Sequence, residues 1–591
     1  MPEISQISHQ LMNLGFSISD LAQYLPTELR ETLSLKGVEF LEIEATAKTV
    51  TEKLEKMIKE FPSARNTQMA QFYLQMFQEL LNSVLKHMKN DQRLNDINCL
   101  KPMIDSFDAI IKKMTHIAKI DALKEMPIGK KTQAILLDVS LAIEEIIFIL
   151  CFVNIKDPKR KLTDPLNELG AESKYKNTYL CSSGMSAYYC VCESIKKIYD
   201  SNEEQKQEKI TMGFLKGSYY ELQLEQGFGS YLKQFCNCFS VSIEDLKNQT
   251  FDIINLDLYP NNVILDEVKK NPVNELIKAQ LEKREKNDPP LTVIIDTSTT
   301  FFTTEEIKKI VAQFDQQIEE GKINLILINS LAKFAMCGLD KYTGGLIQTF
   351  SCLDELNIQL TETTGKNSPS AEAEKFFLLF MENHKLIETY LQQLNKNTNQ
   401  MYSKLIGLNN QEGNPIQIGK REESIPMIGI HFKNMLKALP ARKIEREELK
   451  KLLEVTQTAS LACIMQYFLA AKALHMNLPV SIRSSFGFSS INFIECGTAL
   501  RMTIGLEEEN ILDQVAEMIL RENEAFGKDF ESLEEKEQNI ISFVLEDADS
   551  LLSDLLEKKN ILVIEYAKTH SLKELMLFIC GLLFQEKKMI K

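Results

Sequence analysis

Lys333 stands in the run INSLAKFAMCGLDKYTGGLI (Ile328–Ile347), just past NLIL, an apolar run that reads as a buried strand. An ammonium group is costly to desolvate in such a place. Two readings are open: the side chain turns out to water, or it is an amine that forms an imine with an aldehyde. Asp296 closes a second strand-like run, LTVIID. An aspartate there is either a turn or cap residue or a carboxylate that pairs with a protonated ring nitrogen. Ser183, Gly184 and Met185, in CSSGMSA, lead into the helical run AYYCVCESIKKIY. Small residues at a helix start leave backbone N–H groups free to cradle a phosphate, and an ordinary N-cap has the same composition. Arg501, among the apolar residues of ALRMTIGLEE, calls for an anion if buried. That anion is either a structural carboxylate or a ligand's.

In an open α/β sheet, ligands sit outside the carboxyl ends of the strands, and these four features fall at such ends. Pyridoxal phosphate catalysis uses all four in this order. A lysine forms the imine, an acid holds the pyridinium nitrogen, a helix start holds the phosphate, and an arginine grips the substrate carboxylate bidentately.

The motifs resemble those of the cystathionine gamma-synthase and cystathionine beta-lyase family of fold-type I pyridoxal phosphate enzymes. SSGMSA resembles the family's SSGMAA, and VIIDTST its VVDNT, with Ser298 at the following threonine. The Lys333 run resembles HSATKYxxGHxDxxGG, down to Asp340 and Gly344-Gly345, with one residue inserted. RSSFGF resembles the SLG loop through Ser485 and Gly487, and ALRMTIGLEE resembles LVRLSVGIED. The resemblance implies that Ser183, Gly184, Met185, Asp296, Ser298, Ser330 and Lys333 bind pyridoxal 5′-phosphate. It implies that Asn262 or Asn261, in LYPNN, bonds the ring oxygen, with Asn262 taken here. Tyr219, preferred over Tyr220, would stack on the ring and act with Lys333 in catalysis. Ser485 and Arg501 would hold the substrate. Two departures stand out. Ala332 replaces a phosphate-binding threonine, and the family's YxR loop is replaced by DPKRKLTDP, with Arg160 or Lys161 but no tyrosine.

The elements that must position these residues form an α/β chain of the fold-type I transferase-like class. A mostly parallel, cofactor-binding α/β domain spans 161–350, connecting helices 351–424, and a small α/β domain 425–520. An all-α domain at 1–160 precedes them and a helical tail at 521–591 follows. FDIINLDLY, LTVIIDTST, KINLILINS, PMIGIHF and ALRMTIGL are the strand-like runs, and TTEEIKKIVAQFDQQIEEGK is helical. SISDLAQYLPTELRETL, TQMAQFYLQMFQELLNSVLKHM and ILLDVSLAIEEIIFILCF carry helical spacing in the first domain.

A net charge of -15 argues against nucleic-acid binding. IIFILCFVNI is too short to span a bilayer, and the N-terminus lacks a signal peptide's basic and apolar regions. Twelve cysteines, with CxC pairs but no matching histidines, read as neither a zinc site nor a disulfide framework. A cytoplasmic location follows as the expectation. The implied function is an amino-acid enzyme that eliminates or replaces a sulfur-containing side chain, working as a homodimer or homotetramer. Decarboxylation, transamination, or a non-catalytic protein that binds a partner through its helical domain are the alternatives.

Overall fold

In the computed structural model of the chain, the described residues are 67–90, 97–123, 125–152, 170–201, 209–216, 218, 228–260, 267–268, 270–285, 288–410, 413–422, 427–436, 447–482, 489–546 and 551–590. The helical pattern at SISDLAQYLPTELRETL lies outside them. Among the described residues three helices come first: α1 (Thr67–Asn90), α2 (Ile97–Ala122) and α3 (Ile128–Phe152).

The large sheet contains β1 (Lys176–Cys181), β2 (Ile210–Leu215), β3 (Cys236–Val241), β4 (Ile253–Asp257), β6 (Leu291–Asp296), β7 (Ile323–Ser330) and β8 (Gly345–Phe350). Their spatial order is β1-β8-β7-β6-β4-β2-β3. The chain leaves β1 at one edge through helix α4 (Gly184–Ser201) and enters β2 near the other. α4 therefore crosses one face of the sheet. Its Tyr188, Val191 and Ile195 pack on Ile294, Ile326, Ile328 and Ile347. Helix α5 (Glu305–Glu319) covers the opposite face, laying Ile307, Val311 and Phe314 on Val293, Ile295, Leu325 and Leu327. Alternate residues of β6 and β7 thus point into two apolar layers. This is why both strands read as unbroken apolar runs rather than alternating ones. Each such side chain contributes about 1.5–3 kcal/mol by leaving water.

All the pairings are parallel except those of β8, which runs antiparallel to both β7 and β1. The reversal has a consequence for Lys333. A connection between antiparallel neighbours stays at one end of the sheet, so residues 331–344 are held at the carboxyl ends of the parallel strands. The Leu331 N–H donates to the Gly344 carbonyl at 2.9 Å and closes the loop's base.

A second sheet has the order β12-β13-β14-β11-β9: Val480–Ile482, Ile491–Cys496, Ala499–Thr503, Met427–His431 and Gln417–Ile418. β5 (Glu267–Val268) and β10 (Lys420–Arg421) form a short parallel ladder of their own. Helices α6 (Asp354–Gly365), α7 (Ala371–Glu382) and α8 (His384–Leu405) connect the two large sheets. α9 (Glu447–His475) and α10 (Glu509–Glu531) cover the second sheet, and further helices follow to Ile590. Together these elements make a mixed α/β architecture of two helix-covered sheets.

The first three helices pack directly on the Lys333 loop. Tyr73, Phe77, Ile110 and Ile143 share one core with Phe302, Leu331, Phe334 and Met336. The buried Tyr73 hydroxyl contacts Ser489 Oγ and donates to the Cys337 carbonyl at 3.3 Å, while Ser489 Oγ donates to the Gly338 carbonyl at 3.2 Å. Gly338 has φ +82, and a Cβ there would lie 2.5 Å from Ser489 Oγ. Only glycine fits that turn.

Glu507 anchors the same region from below. Its carboxylate accepts the Gly505 N–H at 2.7 Å and the Ile491 N–H, and Asn397 Nδ2 of α8 donates to the Gly505 and Glu507 carbonyls at 2.9 and 2.8 Å. Complete burial pushes the Glu507 pKa from 4.5 up to about 8, against the pull of its backbone donors. The folded state therefore holds a proton that the unfolded chain releases. That contribution to stability is complete below about pH 4.5 and is lost as pH rises through about 8. Urea midpoints should fall with pH across this window, and Glu507→Gln should flatten the fall. A slope unchanged in the variant contradicts the assignment.

Candidate active site

The first turn of α4 meets the end of β7. Ser183 caps the helix: its Oγ accepts the Ser186 N–H at 3.0 Å, and its carbonyl accepts the Ala187 N–H at 3.0 Å. Ser182 and Ser183 both place hydroxyls on Ser186 Oγ, at 2.8 and 3.1 Å. The first turn contains no acidic residue, so the helix N-terminus keeps its partial positive charge. Met185 packs into the apolar layer beneath. Two glycines set how closely the pieces approach. A Cβ on Gly184 would lie 2.9 Å from the Ser330 Cβ, and one on Gly345 would lie 2.1 Å from the Ser183 carbonyl oxygen.

From Ser330 a chain of contacts runs to Asp296. The Ser330 N–H donates to Ser298 Oγ at 2.8 Å, and the Ser298 N–H donates to Asp296 Oδ1 at 2.8 Å. Thr297 pins the end of β6 to β7 through its N–H and Oγ1, which both donate to the Ile328 carbonyl at 2.8 and 3.0 Å. Asp296 is 4% exposed. Burial raises its pKa, opposed by the Ser298 hydrogen bonds, the Tyr188 hydroxyl and the charge of Lys333. Lys333 itself is half-buried, and its N–H donates to the Ser330 carbonyl at 3.3 Å. A helix start, a buried carboxylate and a lysine thus converge at the carboxyl ends of β1, β6 and β7.

Arg501 is buried in the middle of β14, paired with Gly429 of β11 and Ile494 of β13. Its charge bears on Cys496. Ala332 is half-buried against the core of the first three helices. Tyr219, Tyr220, Asn261, Asn262, Ser485, Gly487, Arg160 and Lys161 lie outside the described residues.

Two neighbours of Asp296 escaped the sequence reading. Asp257 ends β4 directly beside Asp296 in register and is 1% exposed. Tyr188, buried on α4, is raised well above the usual phenol range by burial and by both carboxylates. The signal for Asp257 was the charge closing the apolar run IINLD. Tyr188 had no such signal, because its position depends on the path of α4 across the sheet.

No family profile matches the sequence, and no curated protein matches it. Among solved structures, cystathionine gamma synthase from Xanthomonas oryzae pv. oryzae is similar at 13% identity and a TM-score of 0.41. That likeness covers 63% of this chain and 87% of that one. Serine palmitoyltransferase from S. paucimobilis is similar at 12% identity and 0.38, over 62% and 76%. Cystathionine gamma-lyase from yeast is similar at 11% identity and 0.39, over 61% and 84%. No helix among the described residues is long and apolar enough to cross a membrane.

The contact of Gly345 with Ser183 should tolerate no side chain. Gly345→Ala must push the first turn of α4 away from β8, which should cost about 1–3 kcal/mol, the size of other overpacked core positions. Urea unfolding measures it. A loss below about 0.5 kcal/mol, the scale of a neutral surface change, contradicts this packing.

Proposed function

We propose that this chain is a fold-type I pyridoxal 5′-phosphate-dependent enzyme acting on an amino acid, with elimination or replacement of a sulfur-containing side chain as its reaction. One observation carries the cofactor reading: the unbroken path from the α4 N-terminus through Ser330 and Ser298 to buried Asp296, with Lys333 acting on the same carboxylate. The resemblance of SSGMSA, VIIDTST and the Lys333 run to the transsulfuration family supports the reaction.

The residues fit the cofactor's two charged ends. A phosphate suits the helix start, where Ser183, Gly184 and Met185 offer backbone N–H groups and Gly184 lets Ser330 come close. Ser330 brings a hydroxyl to that cradle, and Ala332 brings none. A cationic ring nitrogen suits Asp296, whose buried carboxylate gains from a facing positive charge. When bound, pyridoxal phosphate supplies an aldehyde that captures amines and a protonated ring that draws electrons from the bond being broken.

The chain's own residues do the rest. Lys333 Nζ would offer the amine that anchors the cofactor, and it is placed to move a proton at the substrate α-carbon. Asp296 keeps the proton on the ring nitrogen, and the Ser298 N–H and Tyr188 hydroxyl orient its carboxylate. By the family resemblance, Arg501 and Ser485 would orient the substrate carboxylate, and Tyr219 and Asn262 would contact the ring.

Protein saturated with pyridoxal phosphate should show a visible absorbance band, and borohydride should leave a pyridoxyl group on the peptide containing Lys333. Lys333→Ala should lose both. A wild-type protein that stays colourless contradicts the cofactor reading. Asp296→Ala should weaken cofactor retention by about 3 kcal/mol, the scale of a broken buried charge pair, and Asp296→Glu should retain part of it. Fluorescence titration with pyridoxal phosphate reads the difference. Unchanged affinity in Asp296→Ala makes Asp296 a turn residue.

A further inference from the structure

Among the described residues β3 forms the outer edge of the large sheet and is bonded to β2 alone. Alternate strand residues share a face, so Cys236 and Cys238 stand side by side, and their Sγ atoms are 3.3 Å apart. The two thiols differ in access. Cys236 is buried, its Sγ 3.1 Å from the Leu232 carbonyl oxygen, whereas Cys238 is half-buried and flanked by exposed Asn237 and Phe239. A third thiol, Cys192 of α4, is fully buried close by and feels the charge of Cys238. Among the described residues no group of three His, Cys, Asp or Glu is disposed to hold a metal ion.

Chemistry separates the two further. A hydrogen bond from Cys236, together with the charge of Lys233, holds the Cys238 thiol below its ordinary range against the effect of burial. The same hydrogen bond and burial hold Cys236 above its own. The accessible sulfur is thus the better thiolate, and the buried one is placed behind it. That is the arrangement of an attacking and a resolving thiol.

We propose that Cys236 and Cys238 are a reversible thiol–disulfide exchange site whose co-reactant is a small-molecule disulfide. The Cys238 thiolate attacks one sulfur of the small disulfide, forming a mixed disulfide and releasing one thiolate. Cys236 then gives its proton to that thiolate and attacks the Cys238 sulfur. This forms the protein disulfide and releases the second thiolate, which takes a proton from water. Two protein thiols are oxidised and one small disulfide is reduced to two thiols.

Reversibility follows from the strand. Residues two apart in an extended strand are roughly 6.6 Å apart at Cα, twice the rise per residue. This is close to the outer limit of about 6.8 Å that a disulfide spans. A bond formed there is strained and readily reduced. β3 can accommodate the pucker because, among the described residues, its outer edge has no ladder to break. The site is independent of the reading given to Lys333.

The test uses the full-length chain with oxidised glutathione, followed by N-ethylmaleimide, trypsin and mass spectrometry. The peptide Gln234–Lys247 contains both cysteines. It should escape alkylation, appear lighter by two hydrogens, and accept two alkyl groups after dithiothreitol. Cys192→Ser should behave as wild type, and Cys236→Ser should stop at a glutathione adduct on Cys238. Two alkylated thiols after excess oxidised glutathione, or a Cys192–Cys238 link, would overturn the proposal; the wild-type result alone decides it if a variant fails to fold.

Discussion

The candidate site depends on how closely the first turn of α4 lies against the ends of β7 and β8. Gly184 and Gly345 permit that approach, because a side-chain atom at either would overlap Ser330 or the Ser183 carbonyl. The approach fixes where the helix N-terminus points. It also forces α4 to cross the face of the sheet, since β2 lies four strands beyond β8 in the sheet order. That crossing brings Tyr188 over the ends of β4 and β6, beside Asp257 and Asp296. One steric constraint therefore sets both the positive end of the site and the surroundings of its carboxylate.

The second constraint is the loop from Leu331 to Gly344. Its antiparallel return keeps Lys333 at the carboxyl ends of the strands, and the first three helices hold it from outside. Tyr73 reaches from α1 to the Cys337 carbonyl and to Ser489, which precedes β13 in the second sheet. The same tyrosine thus contacts the lysine loop and the segment that follows the RSSFGF stretch. Glu507 and Asn397 tie that segment to α8. The added helical region is structurally continuous with the site rather than appended to it.

Much of this was legible in the sequence where burial is two-sided. LTVIID, KINLILINS and ALRMTIGL fall on β6, β7 and β14, because strands covered on both faces must be apolar along their length. TTEEIKKIVAQFDQQIEEGK falls on α5, whose apolar spacing follows one covered face. The edge strands were less legible. KNTYLC and CNCFSV are partly exposed, so neither has an apolar run to mark it. Helices α7 and α8 meet at Asn383, whose Nδ2 bonds the Leu379 carbonyl and Ser83 Oγ, a break that composition alone does not locate. Lys333, Asp296 and the SSGM run stood out as polar or small residues at the ends of apolar runs. Their assembly through Ser298 and Ser330, and the nearness of Asp257 and Tyr188, depend on sheet order and a helix path that no local pattern encodes.

The central claim is that the α4 N-terminus, Asp296 and Lys333 form one cofactor site. A crystal structure of the protein grown with pyridoxal 5′-phosphate tests it most directly. The account predicts density for the phosphate at the backbone N–H groups of Ser183–Met185, the ring nitrogen on the Asp296 carboxylate, and continuous density to Lys333 Nζ. A cofactor bound elsewhere, or a Lys333 side chain turned out to solvent with the cofactor in place, would contradict it.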